Sequence, residues 1–289
     1  MKNVGVVTDT TACIPREYVE KYGISVVPVQ LNINGRSYRD GIDIKPDEFY
    51  ALLREAEKTP TTSSSSPAPY LEAYTRASGN ARNIVCFTEP AKFSAMFDAA
   101  KIAREVARNT LPGITIEVVE CSTAAAGQGL VALYAARLAD NNESLEDTIA
   151  RTGELMPRVQ IFAALDSLRY LARSGRVPQA AAMVNSVLNI KPVFTLNQGN
   201  AHTVALPTNT KNAIKRILKL IKKEAGDARI HLAVMHADAP GPAMELQENI
   251  AGQFDCAEIF TTEFTPVMGT HTGPGLFGVA FYAETSSDY

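Results

Sequence analysis

The sequence predicts an α/β protein of two α/β domains, a mostly parallel N-terminal sheet covered by helices and a smaller C-terminal domain with a mixed sheet. The chain has 289 residues, about twice the ~150 residues of a typical domain. In the first half, short apolar, β-branched runs alternate with helical patterns, which is typical of a parallel sheet buried on both faces. In the second half, a turn signal between two short apolar runs indicates antiparallel pairing.

The predicted elements of the first half follow in order. The strands are the apolar runs at residues 4–7, 25–33, 83–87 and 115–119. The helices are the stretches with helical patterning at residues 16–22, 47–57, 68–77, 94–108, 124–139 and 142–156. Asn142 or Ser144 provides the N-cap of the last of these helices.

The second half has more strands and fewer helices. Its predicted strands lie at residues 160–165, 193–196, 201–205, 230–236, 259–264 and 275–282, and its helices at 178–189, 209–224 and 241–254. The sequence NQGN at residues 197–200 predicts a hairpin turn. We place the domain boundary between residues 157 and 158, which gives domains of 1–157 and 158–289.

The composition is that of an ordinary globular protein, with 46% hydrophobic and 20% charged residues. A net charge of −3 argues against a protein that coats nucleic acid. No apolar run approaches the ~20 residues that span a bilayer, and the N-terminus lacks a signal-peptide pattern, so we expect a cytoplasmic protein with no transmembrane segment. The cysteines have no C-x-x-C spacing, so we expect free thiols. His231 and His236 are predicted on opposite faces of a strand and cannot bind the same ion, so we expect no metal site.

Six consecutive hydroxyl residues occupy positions 61–66, between Pro60 and Pro67. Such a run is typical of a flexible surface linker. A second interpretation is a loop whose hydroxyl and backbone N–H groups bind an anion. Ser66 followed by Pro67 is a helix-start signal, and the positive end of a helix dipole would favour an anion there. The residues alone leave both interpretations open.

Two further segments carry candidate functional residues. Residues 269–278 read GTHTGPGLFG and match a dinucleotide fingerprint in their glycine spacing, but a strand pattern follows where that fingerprint needs a helix. We expect a tight turn there that lets the backbone approach a ligand, with His271 pointing into the site.

A helix-stop signal at Gly175 places Arg173 and Arg176 on either side of a turn. Two interpretations are open for these arginines. They are cations that interact favourably with the helix dipole, or they are ligands of a phosphate group.

Other functions lack a clear sequence signature. The chain has no P-loop, no nucleophile elbow and no H-E-x-x-H motif. Asp9 and Asp166 both follow apolar strands, and with a divalent metal they would make the chain a phosphatase- or transferase-like enzyme at the interdomain cleft. The lysine-rich helix face at residues 211–223 is typical of a solvated surface, with docking of an acidic partner or of nucleic acid as the alternative. The buried stripe of that helix is predicted to consist of Ile214, Ile217, Leu218 and Ile221.

Five segments in the order of the chain carry a family resemblance, and one of them is the block ISVVPVQLNINGRSYRDGIDIKPDEFY. The opening VGVVTDTTACIP is similar to a strand that ends in T-D-S/T-T, and PTTSSSSP is similar to the loop P-x-T-S-Q-P-S-P. LDSLRYLARSGRVP is similar to a segment with L-x-x-G-G-R-I, and GTHTGPG to a closing H-T-G-P-G block. Together they resemble the DegV family of bacterial fatty-acid-binding proteins. The L-S-G-T-Y motif of that family reads FSAMF here, and only its serine, Ser94, is kept.

The resemblance implies that a long-chain fatty acid is held between or within the domains, with its tail in an apolar tunnel. Thr62, Ser63, Ser94 and His271 would bind the carboxylate, and Arg176, which matches the arginine of G-G-R, would face a partner or a phosphoryl group. The implied role is that of a carrier with no catalytic residue and no cofactor besides the lipid. The carrier would present the fatty acid to a separate ATP-dependent kinase, whose acyl phosphate feeds phospholipid synthesis.

Overall fold

The computed structural model describes residues 2–56, 58–63, 66–183, 190–197 and 199–285. In chain order, the strands are β1 (Lys2–Asp9), β2 (Ser25–Val27), β3 (Gln30–Ile33), β4 (Arg36–Arg39), β5 (Thr61–Ser63), β6 (Ala81–Thr88), β7 (Thr115–Glu120), β8 (Gln160–Ala164), β9 (Val193–Asn197), β10 (Asn200–Ala205), β11 (Ile230–Ala237), β12 (Cys256–Glu263) and β13 (Leu276–Ala283). The α-helices are α1 (Arg16–Tyr22), α2 (Pro46–Glu55), α3 (Pro67–Ser78), α4 (Met96–Thr110), α5 (Ala126–Asp140), α6 (Leu145–Leu155), α7 (Arg169–Ser174), α8 (Pro178–Met183), α9 (Thr210–Ala225), α10 (Pro240–Ala251) and α11 (Pro266–Thr272).

The first half of the chain builds a four-stranded parallel sheet with the strand order β2-β1-β6-β7. Helices α3 and α4 pack together over one face, and α5 and α6 pack together over the other. β6 is buried continuously from residue 84 to residue 88, because helices cover the sheet on both faces. The predicted parallel sheet between helices is therefore confirmed.

The prediction of one strand over residues 25–33 is wrong. Its first part is β2 of the parallel sheet, and its last part is β3 of a separate three-stranded antiparallel sheet with the order β4-β3-β5. Pro28 lies between the two parts, and proline has no N–H to donate to a continuing ladder. The sequence does not predict β4 and β5, because R-S-Y-R and T-T-S carry no apolar alternation. Both segments are strands because β3 supplies their hydrogen-bond partners.

The second half builds a six-stranded mixed sheet with the strand order β10-β9-β8-β13-β11-β12. β11 and β12 are parallel, and the other neighbours are antiparallel. The predicted hairpin is confirmed, since Asn197 pairs with Asn200 at the start of the β9–β10 ladder. Helices α9 and α10 pack against this sheet, and α9 buries the predicted stripe of Ile214, Ile217, Leu218 and Ile221.

Two predictions of the second half are not fully tested by the structure. The helix predicted at 178–189 begins as α8, and residues 184–189 lie outside the described part of the chain. The predicted domain boundary falls in the short 3-10 helix Met156–Arg158, between the last helix of the first half and β8. We retain that boundary as a proposal.

Helix α5 lies between the parallel and mixed sheets, and it contacts β1 and β6 of the former and β11 and β13 of the latter. It is buried around almost its whole circumference, as expected of a helix that is apolar on all sides. A Cβ atom on Gly129 would lie 2.5 Å from the carbonyl oxygen of Ala12, and one on Gly127 would lie 3.0 Å from Cδ1 of Ile161. These small residues allow the close approach of α5 to both halves of the protein.

The C-terminal part of α5 is also joined to the mixed sheet by an ion pair. Nη2 of Arg137 donates to both carboxylate oxygens of Glu258 on β12, at 2.6 and 2.5 Å. Both side chains are largely buried, so solvent screens this pair less than a surface salt bridge. The ion pair therefore holds the helix in one register against the mixed sheet.

Gly129→Ala is expected to lower the free energy of unfolding by about 1–3 kcal/mol, because the added methyl group overlaps a backbone carbonyl that is held by α5 packing. Gly153→Ala is the matched control, since its Cβ atom would meet nothing within 4 Å on the exposed side of α6. This second change is expected to stabilise the protein by about 0.5–1 kcal/mol through helix propensity. Urea unfolding of both variants and the unchanged protein measures both signs. A Gly129→Ala protein as stable as the unchanged one would contradict the tight packing of α5.

Candidate functional site

A cavity opens at the carboxyl ends of β1 and β6, next to the β4-β3-β5 sheet. The carboxyl ends of parallel strands are where α/β sheets generally bind ligands. We name it the polar cavity, and its polar lining consists of Thr11, Thr62, Ser63, Glu89, Ser94, Arg176 and His271. The structure thus brings together the four residues predicted for a carboxylate site and the arginine predicted for a partner.

Thr62 and His271 contact each other in this cavity, with 3.0 Å between Oγ1 and Nε2. Thr62 is held on β5 by its pairing with Leu31 of β3. The predicted glycine turn is present at residues 274–275, but His271 precedes it and lies on α11, which Pro266 begins and Gly273 ends at a φ of +70°. Proline at the first helical position and glycine just past the last one are the ordinary signals of helix ends.

The imidazole of His271 is neutral at physiological pH. Burial lowers the pKa of His271 to about 4, and the nearby Arg176 guanidinium also lowers it. A neutral imidazole carries a hydrogen on one nitrogen, and with that hydrogen on Nε2 it donates to Oγ1 of Thr62. The hydroxyl hydrogen of Thr62 is then available to a further oxygen in the cavity. In this tautomer the pair provides a directed donor without a positive charge.

The two predicted serines occupy other parts of the same wall. Ser94 lies in the turn before α4, where its Oγ accepts a hydrogen bond of 3.3 Å from the backbone N–H of Met96. Ser63 follows Thr62 on β5. α3 begins at Pro67 as predicted, while residues 64 and 65 lie outside the described residues. Residues 61–63 of the hydroxyl run are therefore a strand that faces a cavity, and the linker interpretation does not hold for them.

A second cavity, which we name the apolar cavity, adjoins the polar one. Ile161 and Ala163 of β8 contribute to it from one face, because alternate residues of a strand point the same way. The volume of this cavity is about 160 Å³, and the cavity is partly open to solvent. Both cavities share the wall residues Glu89, Phe93, Arg176, Met268 and His271. Their union fits a molecule with a polar end and a long apolar part.

Glu89 is a residue of both cavities that sequence reasoning missed. It directly follows β6 and is only 8% exposed. Burial raises the pKa of Glu89 to about 7, and the Asp9 carboxylate raises it as well, while Ser94 and Arg176 lower it. The sequence does carry a signal for this residue, because an acidic side chain directly follows the apolar run NIVCFT of a buried strand. Glutamate is almost never fully buried unless it is paired, so a glutamate at such a position indicates a special environment.

Arg176 and Arg173 have different surroundings despite their closeness in sequence. Nη1 of Arg176 donates to the carbonyl of Ser174 at 2.6 Å, and its Nε donates to the carbonyl of Phe93 at 3.3 Å. The residue is exposed, yet it lines both cavities. Arg173 instead donates to Oγ1 of Thr59 at 2.9 Å and lines neither of the two cavities.

Asp9 and Asp166, the two carboxylates considered for an enzyme, have separate partners in the structure. Asp9 is fully buried and accepts hydrogen bonds from the backbone N–H of Thr11 at 2.9 Å and from Gln128 at 3.4 Å. Asp166 forms an ion pair with Lys191. Neither carboxylate lines the polar or the apolar cavity. Within the described ranges, no group of three or more His, Cys, Asp or Glu side chains is arranged to hold a metal ion.

The whole chain also matches a known family. The sequence profile described as "Uncharacterised protein, DegV family" matches residues 3–284. The chain belongs to the DegV family. A DegV domain-containing protein of Caldanaerobacter subterraneus subsp. tengcongensis is 32% identical over 282 residues, which cover 97% of this chain and 99% of that protein. The protein DegV of Bacillus subtilis is 28% identical over 96% of this chain and 99% of its own.

Solved DegV structures have the same fold. A DegV family protein of Thermus thermophilus, described by its fatty acid binding, has a TM-score of 0.89 at 29% identity, with 98% of this chain and 100% of that chain covered. DegV of Bacillus subtilis, described as a fatty acid binding protein, has a TM-score of 0.87 at 27% identity, with coverage of 98% and 100%. This likeness confirms the predicted α/β fold. In the part of the chain that the structure describes, no helix is long and apolar enough to cross a bilayer.

Proposed function

We propose that this DegV family member binds a long-chain fatty acid, with the carboxylate in the polar cavity and the tail in the apolar cavity. The observation that carries the proposal is the junction of the two cavities, where hydroxyl and imidazole groups stand at the end of a space lined by apolar side chains. Thr62 and Ser94 come from the first half of the chain and Ile161 from the second, so the ligand would lie between the domains. The two relatives described as fatty-acid binding support this proposal.

The chemistry of the two cavities suits the two ends of a fatty acid. A carboxylate that leaves water needs several hydrogen-bond donors, and the hydroxyl groups of Thr62, Ser63 and Ser94 supply them, with His271 orienting the hydroxyl of Thr62. Arg176 adds a positive charge at the junction. Each buried CH₂ group of the tail contributes about 0.8 kcal/mol. The tail therefore dominates the affinity, and the polar cavity determines which end of the ligand lies where.

The proposed role is that of a cytoplasmic carrier and not of a catalyst. It would present the bound carboxylate to a separate ATP-dependent fatty acid kinase, which forms the acyl phosphate used in phospholipid synthesis. The position of Arg176 supports this role, because the residue lines the polar cavity and is exposed to solvent. A guanidinium group binds phosphate in a bidentate manner and stays charged at any physiological pH.

The proposed function is tested by organic extraction of the protein purified from bacterial cells, followed by mass spectrometry of the extract. We expect a long-chain fatty acid in a one-to-one ratio to the chain, because a buried tail is lost slowly to water. After delipidation, the protein should bind hexadecanoate again. An extract without stoichiometric lipid, together with no binding of hexadecanoate by the delipidated protein, would refute the proposal.

Thr62→Val and Ser94→Ala are each expected to weaken the binding of hexadecanoate about ten- to a hundredfold. Loss of one donor to a buried charged group costs about 1–3 kcal/mol, and each 1.4 kcal/mol corresponds to a factor of about ten in the dissociation constant. The dissociation constant is measured by displacement of a fluorescent fatty acid. Thr75→Val removes a hydroxyl from the exposed face of α3 and serves as the control with unchanged affinity. If both site variants bind as the unchanged protein does, the carboxylate lies elsewhere.

Arg176→Ala is expected to reduce the rate of acyl-phosphate formation, with a fatty acid kinase subunit and ATP present, by a larger factor than it reduces fatty-acid affinity. The reason is that tail burial and the hydroxyl donors persist in this variant, while the cation that faces the partner is lost. Arg173→Ala is the control and should change neither quantity. The rate is measured at saturating fatty acid. Equal losses of affinity and rate would assign Arg176 to the carboxylate alone, and equal rate losses in both variants would assign the partner contact to the whole turn.

A further inference from the structure

Glu89 places a second carboxyl group where the ligand carboxylate is proposed to bind. The residue lies at the carboxyl end of β6, is almost fully buried and lines both cavities. It shares these two linings with Arg176 and His271. A fatty acid that spans the junction of the cavities therefore carries its negative charge into the immediate surroundings of Glu89.

The ionisable groups around Glu89 come from four other parts of the chain. From β1, Asp9 acts on it as a like charge, and from α3, Tyr70 donates to Asp9 at 3.3 Å. Arg176 follows α7 and contributes a positive charge. His271, on α11, is neutral for the reasons given above. One permanent cation thus faces two buried acids before any ligand is bound.

Two carboxylates in one desolvated site repel each other, and such pairs commonly hold a single proton between them. The alternative, in which both are ionised beside the single charge of Arg176, leaves at least one buried negative charge without a counter-ion. A protonated carboxyl group is also an O–H donor. It would add one more donor to the hydroxyl groups of Thr62 and Ser94.

We propose that Glu89 takes part in the complex as the neutral acid and donates its hydrogen to the fatty-acid carboxylate, so that the two carboxyl groups hold one proton. This inference rests on the proposed function and assigns Glu89 as a further ligand-binding residue. The consequence is that fatty-acid binding is linked to proton uptake at alkaline pH, since the free protein must gain the proton that the complex keeps.

The sign of the linkage follows from the groups in the site. Burial raises the pKa of Glu89 to about 7 in the free protein, and a bound carboxylate raises that pKa further. Affinity should then be constant below about pH 7 and fall as the pH rises above it, by as much as tenfold per pH unit. His271, with a pKa of about 4, does not titrate in this range. Asp9 lines neither cavity, so the ligand changes its surroundings less than those of Glu89.

The test is the binding of dodecanoate to the delipidated protein between pH 6 and about pH 9, with Glu89→Gln and Glu154→Gln as the variants. Glutamine is isosteric with the neutral acid and keeps a donor, so Glu89→Gln should bind with an affinity that does not change with pH. At pH 9, about two units above the pKa of Glu89, this variant should bind up to about a hundredfold more tightly than the unchanged protein. Glu154 is exposed on α6, and its replacement should leave the full pH dependence in place.

Calorimetry of the unchanged protein provides a measurement that needs no variant. Near pH 8.5, we expect uptake of close to one proton per dodecanoate, and the buffer releases that proton. The apparent binding enthalpies in phosphate and in Tris should therefore differ by nearly the difference between the ionisation enthalpies of the two buffers. Binding with no proton uptake and with an affinity that is flat to pH 9 would overturn the role of Glu89 and leave the proposed function intact. Equal pH dependence in Glu89→Gln and the unchanged protein would overturn it as well. No binding of dodecanoate by any of the three proteins at any pH would overturn both.

Discussion

The packing of α5 between the two sheets is the constraint on which the rest of the structure depends. Its glycines allow contact with the backbone before α1 on one side and with β8 on the other, so the separation of the sheets is set by the diameter of one helix with small side chains. The apolar cavity lies at the N-terminal end of this helix, where Ala124 and Ala125 form part of its wall. Larger residues at these positions would fill the volume that a ligand needs.

The same helix connects this packing to the polar end of the site. Gln128, which is fully buried on α5, donates to Oγ1 of Thr8 at 2.9 Å and accepts a hydrogen bond of 3.2 Å from Thr11. It thereby orders the carboxyl end of β1, where Asp9 lies. Asp9 in turn acts on Glu89 at the end of β6. The buried polar groups at the sheet edge are therefore one connected system, in which burial and like charge both favour the neutral form of Glu89.

The departures of this chain from the DegV motifs affect some parts of the site and not others. The hydroxyl groups that the resemblance implies for the carboxylate are present in Thr62 and Ser94, although the segment around Ser94 reads FSAMF. The cavity keeps its donors because they lie on separate elements, β5 and the turn before α4. Substitution around one donor therefore leaves the other in place.

The sequence by itself determined those features that depend on neighbours along the chain. Apolar periodicity located β1, β6, β7 and the buried stripe of α9, and motif resemblance predicted a common site for Thr62, Ser94 and His271, which line one cavity in the structure. Only the tertiary structure decided which segments pair, because R-S-Y-R and T-T-S become strands through their bonds to β3. It also brought Thr62 to a residue 209 positions away and buried Glu89 between two cavities. The tertiary structure also decides the protonation states in the site, since desolvation and nearby charge are properties of the folded surroundings and not of the local sequence.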